Sequence, residues 1–441
     1  MKNNDEFSRK QSRRDFLKGS GVGLLGAGAA MALGTEKVFA APPKGVPTGP
    51  IKLGCFAFMS GTGGPAGMQG LQGAQVWGEQ INKEGGILGR KVEVKIEEET
   101  GAKECVEKFK KFILKDKCDA VFGLNSTGNS QAVAKEAEAL KELYLAWDGT
   151  TQDGLIETMP NPKYTFRSVD NELEAVAGAI LTVRYFPNIK KVTGINNDYS
   201  YGRNCYEAYT KVLKMYKPDI TVMDGIFTKL GETDFTAVVD AFKARQPDII
   251  QCSFFHAENT IFFKQAHAKE LFKNTKACFH TACYVGDTLK KEFVPEVHII
   301  GYNSFYPHYT DNWPLLNEFW KLYVQKFKII PGPVSDHAFF TLQAYKTAIE
   351  KCYTLLGRWP KKEEIAETLK GISVPSLSGY RSYRHDNKMD CNFFLGLTTH
   401  KNSFDYVTIN PVFVFPGSMI QKPVGYSFDQ WLDEWKKSVK I

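Results

Sequence analysis

Residues able to do chemistry are thinly spread in this chain. Its eight histidines lie at 256, 267, 280, 298, 308, 337, 385 and 400. None has the His-Glu-x-x-His spacing that sets two imidazoles on one helix face for zinc, and none joins cysteines at finger spacing. His256, His267 and His280 fall close enough along the chain to meet in space, but their spacing gives no reason to expect a metal. Glu97-Glu98-Glu99 offers three adjacent carboxylates. It reads as the end of a strand facing solvent or the mouth of a cleft. The Gly-rich loop Gly61–Gly67 lacks the lysine of a phosphate loop, and no Gly-x-Ser-x-Gly nucleophile turn occurs. Neither a catalytic residue nor a cofactor is expected. Binding chemistry is better represented. Asn125-Ser126-Thr127-Gly128-Asn129-Ser130 runs into a helical pattern, and hydroxyls with free backbone N–H groups at a helix start suit a carboxylate. The same residue types also serve as plain helix caps.

The 441 residues are 43% hydrophobic and 13% aromatic, enough for two or three domains with real cores. Net charge is +7. Residues 1–40 contribute +3 of it, seven Lys/Arg against four Asp/Glu, which leaves a mild +4 spread over the rest. That gives no nucleic-acid footprint. Nine cysteines, none in a Cys-x-x-Cys, read mainly as small core residues. Cys105 and Cys118 would lie about 20 Å apart on one helix, too far to pair. No run reaches the roughly 18 apolar residues of a membrane span.

The first forty residues read as an address. Ser12-Arg13-Arg14-Asp15-Phe16-Leu17-Lys18 matches the twin-arginine export motif, Gly19–Gly34 is weakly apolar, and Val38-Phe39-Ala40 fits a cleavage site. The expectation is export to the periplasm through the twin-arginine machinery, with cleavage near Ala40 leaving a soluble, monomeric chain. Cys55 lies too late for a lipoprotein anchor, with Lys52 where an apolar residue belongs.

Positioning the binding loop requires regular elements, and the mature chain alternates strand and helix. Ile51–Phe58, Lys91–Ile96, Ala120–Leu124 and Leu143–Trp147 read as strands with helical patterns between them. The rhythm restarts after Phe166, with strands at Lys191–Asn196, Ile220–Phe227, Asp248–Phe255, Ala277–Cys283 and Val297–Asn303. A helix is expected from Gln131 and another from Thr233-Asp234. Residues 310–375 are mostly helical, Phe393–Phe415 forms a hairpin, and 428–439 an amphipathic helix. Two successive blocks of this kind imply two α/β lobes with doubly wound parallel sheets.

Four stretches carry a family resemblance: Ile51–Gly54 through Ser60-Gly61 to Gly73-Ala74; Ile81-Asn82-Lys83-Glu84-Gly85-Gly86-Ile87-Leu88-Gly89-Arg90; Asp119–Gly123 to Ser126-Thr127-Gly128; and Asp198 to Tyr201-Gly202 with Gly231–Phe235 and Pro247-Asp248. In order and spacing the chain resembles the branched-chain amino-acid binding proteins of ABC importers, which have the type I periplasmic binding fold. The resemblance covers residues 50–415. It implies a solute receptor, not an enzyme, that closes on a small molecule and docks on an ABC-transporter permease. It also implies three crossings, near 167–171, 301–305 and 376–382. Lobe one would then be 50–167 with 305–378, lobe two 168–304 with 379–420, and 421–441 a C-terminal tail.

Ligands of open parallel sheets bind outside the carboxyl ends of the strands. The resemblance places ligand contacts at Ser126, Thr127, Gly128, Trp147, Gly149, Thr150 and Thr151 in lobe one. In lobe two it places them at Tyr201, Phe255, His256, Ala282 and Tyr284. Trp147 reads equally as pocket wall or core. Two positions depart from the family pattern. Its acidic ammonium partner falls at Thr281 or Ala282, with Asp287 too far along, and its first-loop tyrosine falls at Ala66. An ammonium buried without a partner is costly, so both departures favour a small or aromatic carboxylate, or an amide, over an α-amino acid. A sensory module on the same fold and, from the leader alone, an exported redox enzyme are the rival readings.

Overall fold

The computed structural model describes residues 41–61, 63–149, 158–168 and 172–438. The leader, Thr150 and Thr151 lie outside the described residues. In chain order, lobe one reads β1 (Ile51–Ala57), α1 (Gly64–Lys83), β2 (Val92–Glu98), α2 (Ala102–Lys110), β3 (Ala120–Gly123), α3 (Thr127–Leu140), β4 (Tyr144–Ala146) and β5 (Thr165–Arg167). The second block reads α4 (Glu172–Tyr185), β6 (Lys191–Asn197), α5 (Ser200–Tyr216), β7 (Thr221–Val222), β8 (Ile226–Thr228), α6 (Thr236–Arg245), β9 (Ile249–Cys252), α7 (Glu258–Ala268), β10 (Lys276–Phe279) and β11 (Ile299–Asn303). Then follow α8 (Pro314–Phe327), α9 (Pro333–Leu356), α10 (Lys362–Leu369), β12 (Ser373–Ser376), β13 (Gly379–Tyr383), β14 (Met389–Asp390), β15 (Phe393–Thr399), β16 (Thr408–Phe415), α11 (Gly417–Ile420) and α12 (Phe428–Ser438).

Strands β2-β1-β3-β4-β5 form a parallel five-stranded sheet. Its central strands read as apolar runs because helices cover both faces. On one face α1 packs against α9, where Trp77 donates its indole N–H to Gln343. On the other, Phe56, Phe109, Phe112, Val133 and Tyr144 form a separate core under α2 and α3. The second sheet runs β16-β15-β11-β10-β9-β6-β7, with β8 also on β6. Its β6 to β11 are parallel, and the hairpin β15–β16 adds antiparallel beside β11. This is the two-sheet α/β architecture that the strand–helix rhythm implies.

The chain leaves sheet one after β5, leaves sheet two after β11, and returns to it through the small antiparallel sheet β12–β13–β14. A buried polar cluster ties these passages together. Arg381 on β13 pairs with Asp336 at the start of α9 and donates to the Ser304 carbonyl at 2.7 Å. The Ser168 hydroxyl contacts those of Thr341 and Tyr383. No helix among the described residues is long and apolar enough to cross a membrane. All nine cysteines are buried, and none forms a disulfide.

Some boundaries differ from the sequence reading, for local reasons. Helix α3 begins at Thr127, four residues before Gln131, because its first turn is polar and shows no apolar periodicity. The expected strand 220–227 is split into β7 and β8. After Phe279 the chain turns into a 3₁₀ segment, Ala282–Thr288. Helix α6 starts at Thr236, with the Asp234 carboxylate accepting the Thr236 N–H.

Candidate ligand-binding cleft

The carboxyl ends of both parallel sheets meet. The Phe58 ring, after β1, lies edge-on to His256, after β9, with centroids 6.1 Å apart. Gln69 of α1 donates to the Tyr284 carbonyl at 2.9 Å. The facing loops therefore belong to opposite lobes and close on one another.

On the lobe-one side, Ser126, Thr127 and Gly128 form the first turn of α3. Thr127 is buried, Ser126 half-buried and Gly128 exposed. The Ser126 side chain makes no capping bond. That end of the helix is served by Glu99, which is buried and not at a solvent-facing strand end. Its carboxylate accepts the backbone N–H of Asn125 at 2.7 Å and of Ser126 at 2.8 Å, and the Asn129 amide at 2.9 Å. Burial pushes Glu99 up to about 7, with Asp148 adding to the rise and these donors opposing it. Gly149 has φ +68°, and a Cβ there would sit 2.9 Å from the Asn125 carbonyl carbon. Only glycine lets the two loops approach this closely. Trp147 is fully buried against Phe122 and the Cα face of Gly70, yet its indole N–H has no acceptor. It is core by packing, with one polar atom left unpaired.

On the lobe-two side an aromatic cluster closes the cleft. Tyr201 meets Phe255 edge-on at 5.4 Å, and Phe255 contacts His256 at 4.0 Å and Tyr284 at 6.0 Å. Tyr201, His256 and Tyr284 are buried, and their hydroxyls and both imidazole nitrogens make no ordinary hydrogen bond. Burial drives His256 down to about 3, so the ring is neutral. Ala282 starts the 3₁₀ segment beside Tyr284, and the Thr281 hydroxyl is spent on the Phe254 carbonyl. Asp287 faces Lys290 and Asp405. His256 and His280 each have a carboxylate at 3.9 Å, Glu258 and Glu174 respectively. Among the described residues no three His, Cys, Asp or Glu gather to hold a metal.

Sequence reasoning missed the acids. Asp148 follows Trp147 and accepts from the Gly149 N–H and the Asn125 amide. Glu174 lies in the first turn of α4, fully buried; the Asp148 charge reaches it, and its own charge helps to raise Tyr201, Cys283 and Tyr284. Its signal was visible as the one charge inside the apolar run Leu173–Val183. A hollow of about 590 Å³ between Pro187–Lys190 and Tyr216–Ile220 lies at the opposite, amino-terminal edge of sheet two.

Residues 50–399 match the family described as periplasmic binding protein. The chain belongs to that family. A Leu/Ile/Val-binding protein of Rhizobium johnstonii is 27% identical over 218 residues, 49% of this chain and 58% of that protein. The chain thus matches little more than half the length of this curated relative. Among solved structures, an ABC-transporter solute-binding protein of Rhodopseudomonas palustris, in complex with 3,4-dihydroxybenzoic acid, superposes with a TM-score of 0.72 at 17% identity, over 83% of this chain and 98% of that one. The isoleucine complex of a branched-chain amino-acid transporter substrate-binding protein of Streptococcus pneumoniae does so with a TM-score of 0.66 at 17% identity, over 83% and 99%. These similarities give the fold and the family. Ser126, Thr127, Tyr201, Phe255, His256 and Tyr284 all stand on the loops and first helical turns at the facing strand ends.

Proposed function

We propose that this protein is the periplasmic solute receptor of an ABC importer, exported through the twin-arginine pathway, and that it holds a small, largely apolar organic molecule between its lobes. One observation carries the reading. Buried polar atoms without an ordinary hydrogen bond occur at the facing strand ends of both lobes: Trp147 Nε1 in lobe one, and Tyr201 Oη, Tyr284 Oη and the His256 nitrogens in lobe two. Each unpaired buried group costs about 1–3 kcal/mol. A solute that pairs several of them stabilises the closed form in a way the open form does not share, and only such differential contacts move a two-state equilibrium. The aromatic wall of Tyr201, Phe255 and Tyr284 suits a flat or branched apolar body. Both the isoleucine and the dihydroxybenzoate bound by the structural neighbours have one.

The acids remove the ground for disfavouring an amino acid, since the cleft has carboxylates although none stands at Ala282. The test is a thermal-shift screen of the chain from residue 41 against hydrophobic amino acids, aromatic acids, amides and short acids. A solute at 100 times its Kd stabilises by about 2.7 kcal/mol. A shift with one compound class supports the receptor reading. A screen without shifts, on protein carrying a bound chromophore or metal, would overturn it.

A further inference from the structure

We propose that the solute carries an ammonium group and that Glu174, on the first helix of lobe two, receives it in place of the acid missing at Ala282. The inference rests on the receptor reading above and names the ligand's charge. It begins from the charge inventory of the cleft. Four buried carboxylates stand at the strand ends: Glu99, Asp148, Glu174 and Glu258. Among the described residues no lysine stands with them, and the buried Arg381 is taken by Asp336 at the crossings. Three of the four acids are occupied within their own lobe, Asp148 by the Gly149 N–H and the Asn125 amide. Glu99 accepts three donors, and Glu258 accepts the Gly231 N–H and the Asn197 amide. Glu174 differs. Neither of its oxygens makes a hydrogen bond of ordinary length, and the Asn303 side chain is a hydrogen-bonding neighbour at longer range, favouring the charged form.

A buried chain of side chains is oriented toward it. The Ser253 backbone N–H donates to Asn196 Oδ1, which fixes that amide. Asn196 Nδ2 then donates to Gln251 Oε1, and Gln251 Nε2 donates to His280 Nε2 at 2.9 Å. With Nε2 accepting, the His280 proton sits on Nδ1, which lies 3.9 Å from Glu174 Oε2. His280 is thus a positioning residue that offers Glu174 one donor but no charge, because burial holds the ring neutral, down to about 3. A carboxylate buried with only neutral, long-range donors, His280 and Asn303, and no cation among the described residues lacks a counter-charge. A ligand ammonium supplies it, walled by Tyr201 and Tyr284, whose rings and unpaired hydroxyls also suit a cation. A ligand carboxylate placed beside Asp148 and Glu174 would instead add a further negative charge.

Burial raises Glu174 well above the usual carboxylate range, with Asp148 adding to it. Taking up an ammonium therefore expels the Glu174 proton, and affinity rises with pH. The titratable or polar groups facing Glu174 are Asp148 after β4, Tyr201 of α5, His280 just after β10, Cys283 and Tyr284 of the 3₁₀ segment, Asn303 of β11 and Cys391 before β15. His280 and the tyrosines stay neutral across the working range.

The experiment uses matched probe triplets that share one apolar body. One is leucine, 4-methylpentanoate and 3-methylbutylamine; the other is phenylalanine, 3-phenylpropanoate and 2-phenylethylamine. Calorimetry is run on the chain from residue 41 at several pH values between about 5.5 and 8.5. At least one amine-bearing probe is expected to bind at least about tenfold more tightly than its desamino partner. Its affinity should climb with pH, and Glu174→Gln should weaken it at least about tenfold and flatten that climb. Glu174→Asp, which keeps the charge, should keep the pH slope, so that a folding defect in one variant does not decide the matter. Desamino acids binding as tightly as their amino partners would overturn the inference and leave the receptor reading standing. So would an unchanged affinity in Glu174→Gln. No binding by any probe at about 10 mM would count against both.

Discussion

Replacing Arg381 by methionine tests whether the Arg381–Asp336 pair ties the passages between the two sheets together. Arg381 and Asp336 are both nearly inaccessible, and they join β13, the chain after β11 and the first turn of α9. Arg381 also donates to the Ser304 carbonyl at 2.7 Å and the Ser378 hydroxyl at 2.9 Å. Methionine fills similar volume but leaves the Asp336 carboxylate buried with the Ser304 hydroxyl and an unmatched charge. Removing one partner of a buried pair costs about 3–5 kcal/mol. The favourable position of Asp336 at a helix N-terminus returns only about 0.3–1 kcal/mol, so the loss dominates. At about 2.1 cal/mol/K per residue over about 400 residues, 4 kcal/mol lowers Tm by about 5 °C. Calorimetry of Arg381→Met, Asp336→Asn and the double variant measures the coupling. The double variant should recover more than half of the Arg381→Met loss, since it removes the unmatched charge. A Tm within about 1 °C of wild type for Arg381→Met, or strictly additive losses, would refute the assignment of this pair as the tie between crossings.

Two further outcomes follow from particular residues. Glu99 has its folded value raised from 4.5 to about 7 by burial. Its contribution to stability is therefore complete below about pH 4.5 and is lost as pH rises through 7, about 3 kcal/mol in all at 1.36 kcal/mol per unit. Urea unfolding of Glu99→Gln at several pH values should show that fall removed, and an unchanged slope between pH 5 and 7.5 would contradict it. In α1, Gly73→Ala puts a Cβ 2.3 Å from the Ser335 carbonyl oxygen, backbone that cannot rotate away, and should cost about 1–3 kcal/mol. Gly78→Ala in the same helix meets nothing within 4 Å and should stabilise by about 0.5–1 kcal/mol. The two variants should move Tm in opposite directions.

The fold was legible because apolar runs such as Ile51–Ala57 and Ile249–Cys252 can only be strands covered on both faces, and the helical periods between them dictate crossovers. The late hairpin β15–β16 was legible from alternation and a polar turn. The start of α3 was not, because Thr127–Ser130 is polar and its helical state is set by Glu99 from the neighbouring strand. For Glu99 the sequence left solvent and the mouth of a cleft open, since three consecutive glutamates look alike. In fact Glu97 pairs with Lys111 and Glu98 accepts the Met59 N–H, while Glu99 turns inward. Glu174 was hidden for the opposite reason: its apolar surroundings on α4 read as core, and the acids it faces come from distant stretches of chain. Trp147 could not be settled from sequence because it packs on Gly70 as a core residue does and still carries an unpaired N–H.

The central claim is that one solute is held by both lobes at once. The direct measurement is calorimetric titration of the compound giving the largest thermal shift into wild type, Asp148→Asn from lobe one and Tyr201→Phe from lobe two. One site per chain is expected, with each variant weakening binding at least about tenfold, about 1.4 kcal/mol. Wild-type affinity in either variant would place the solute on a single lobe and contradict the account.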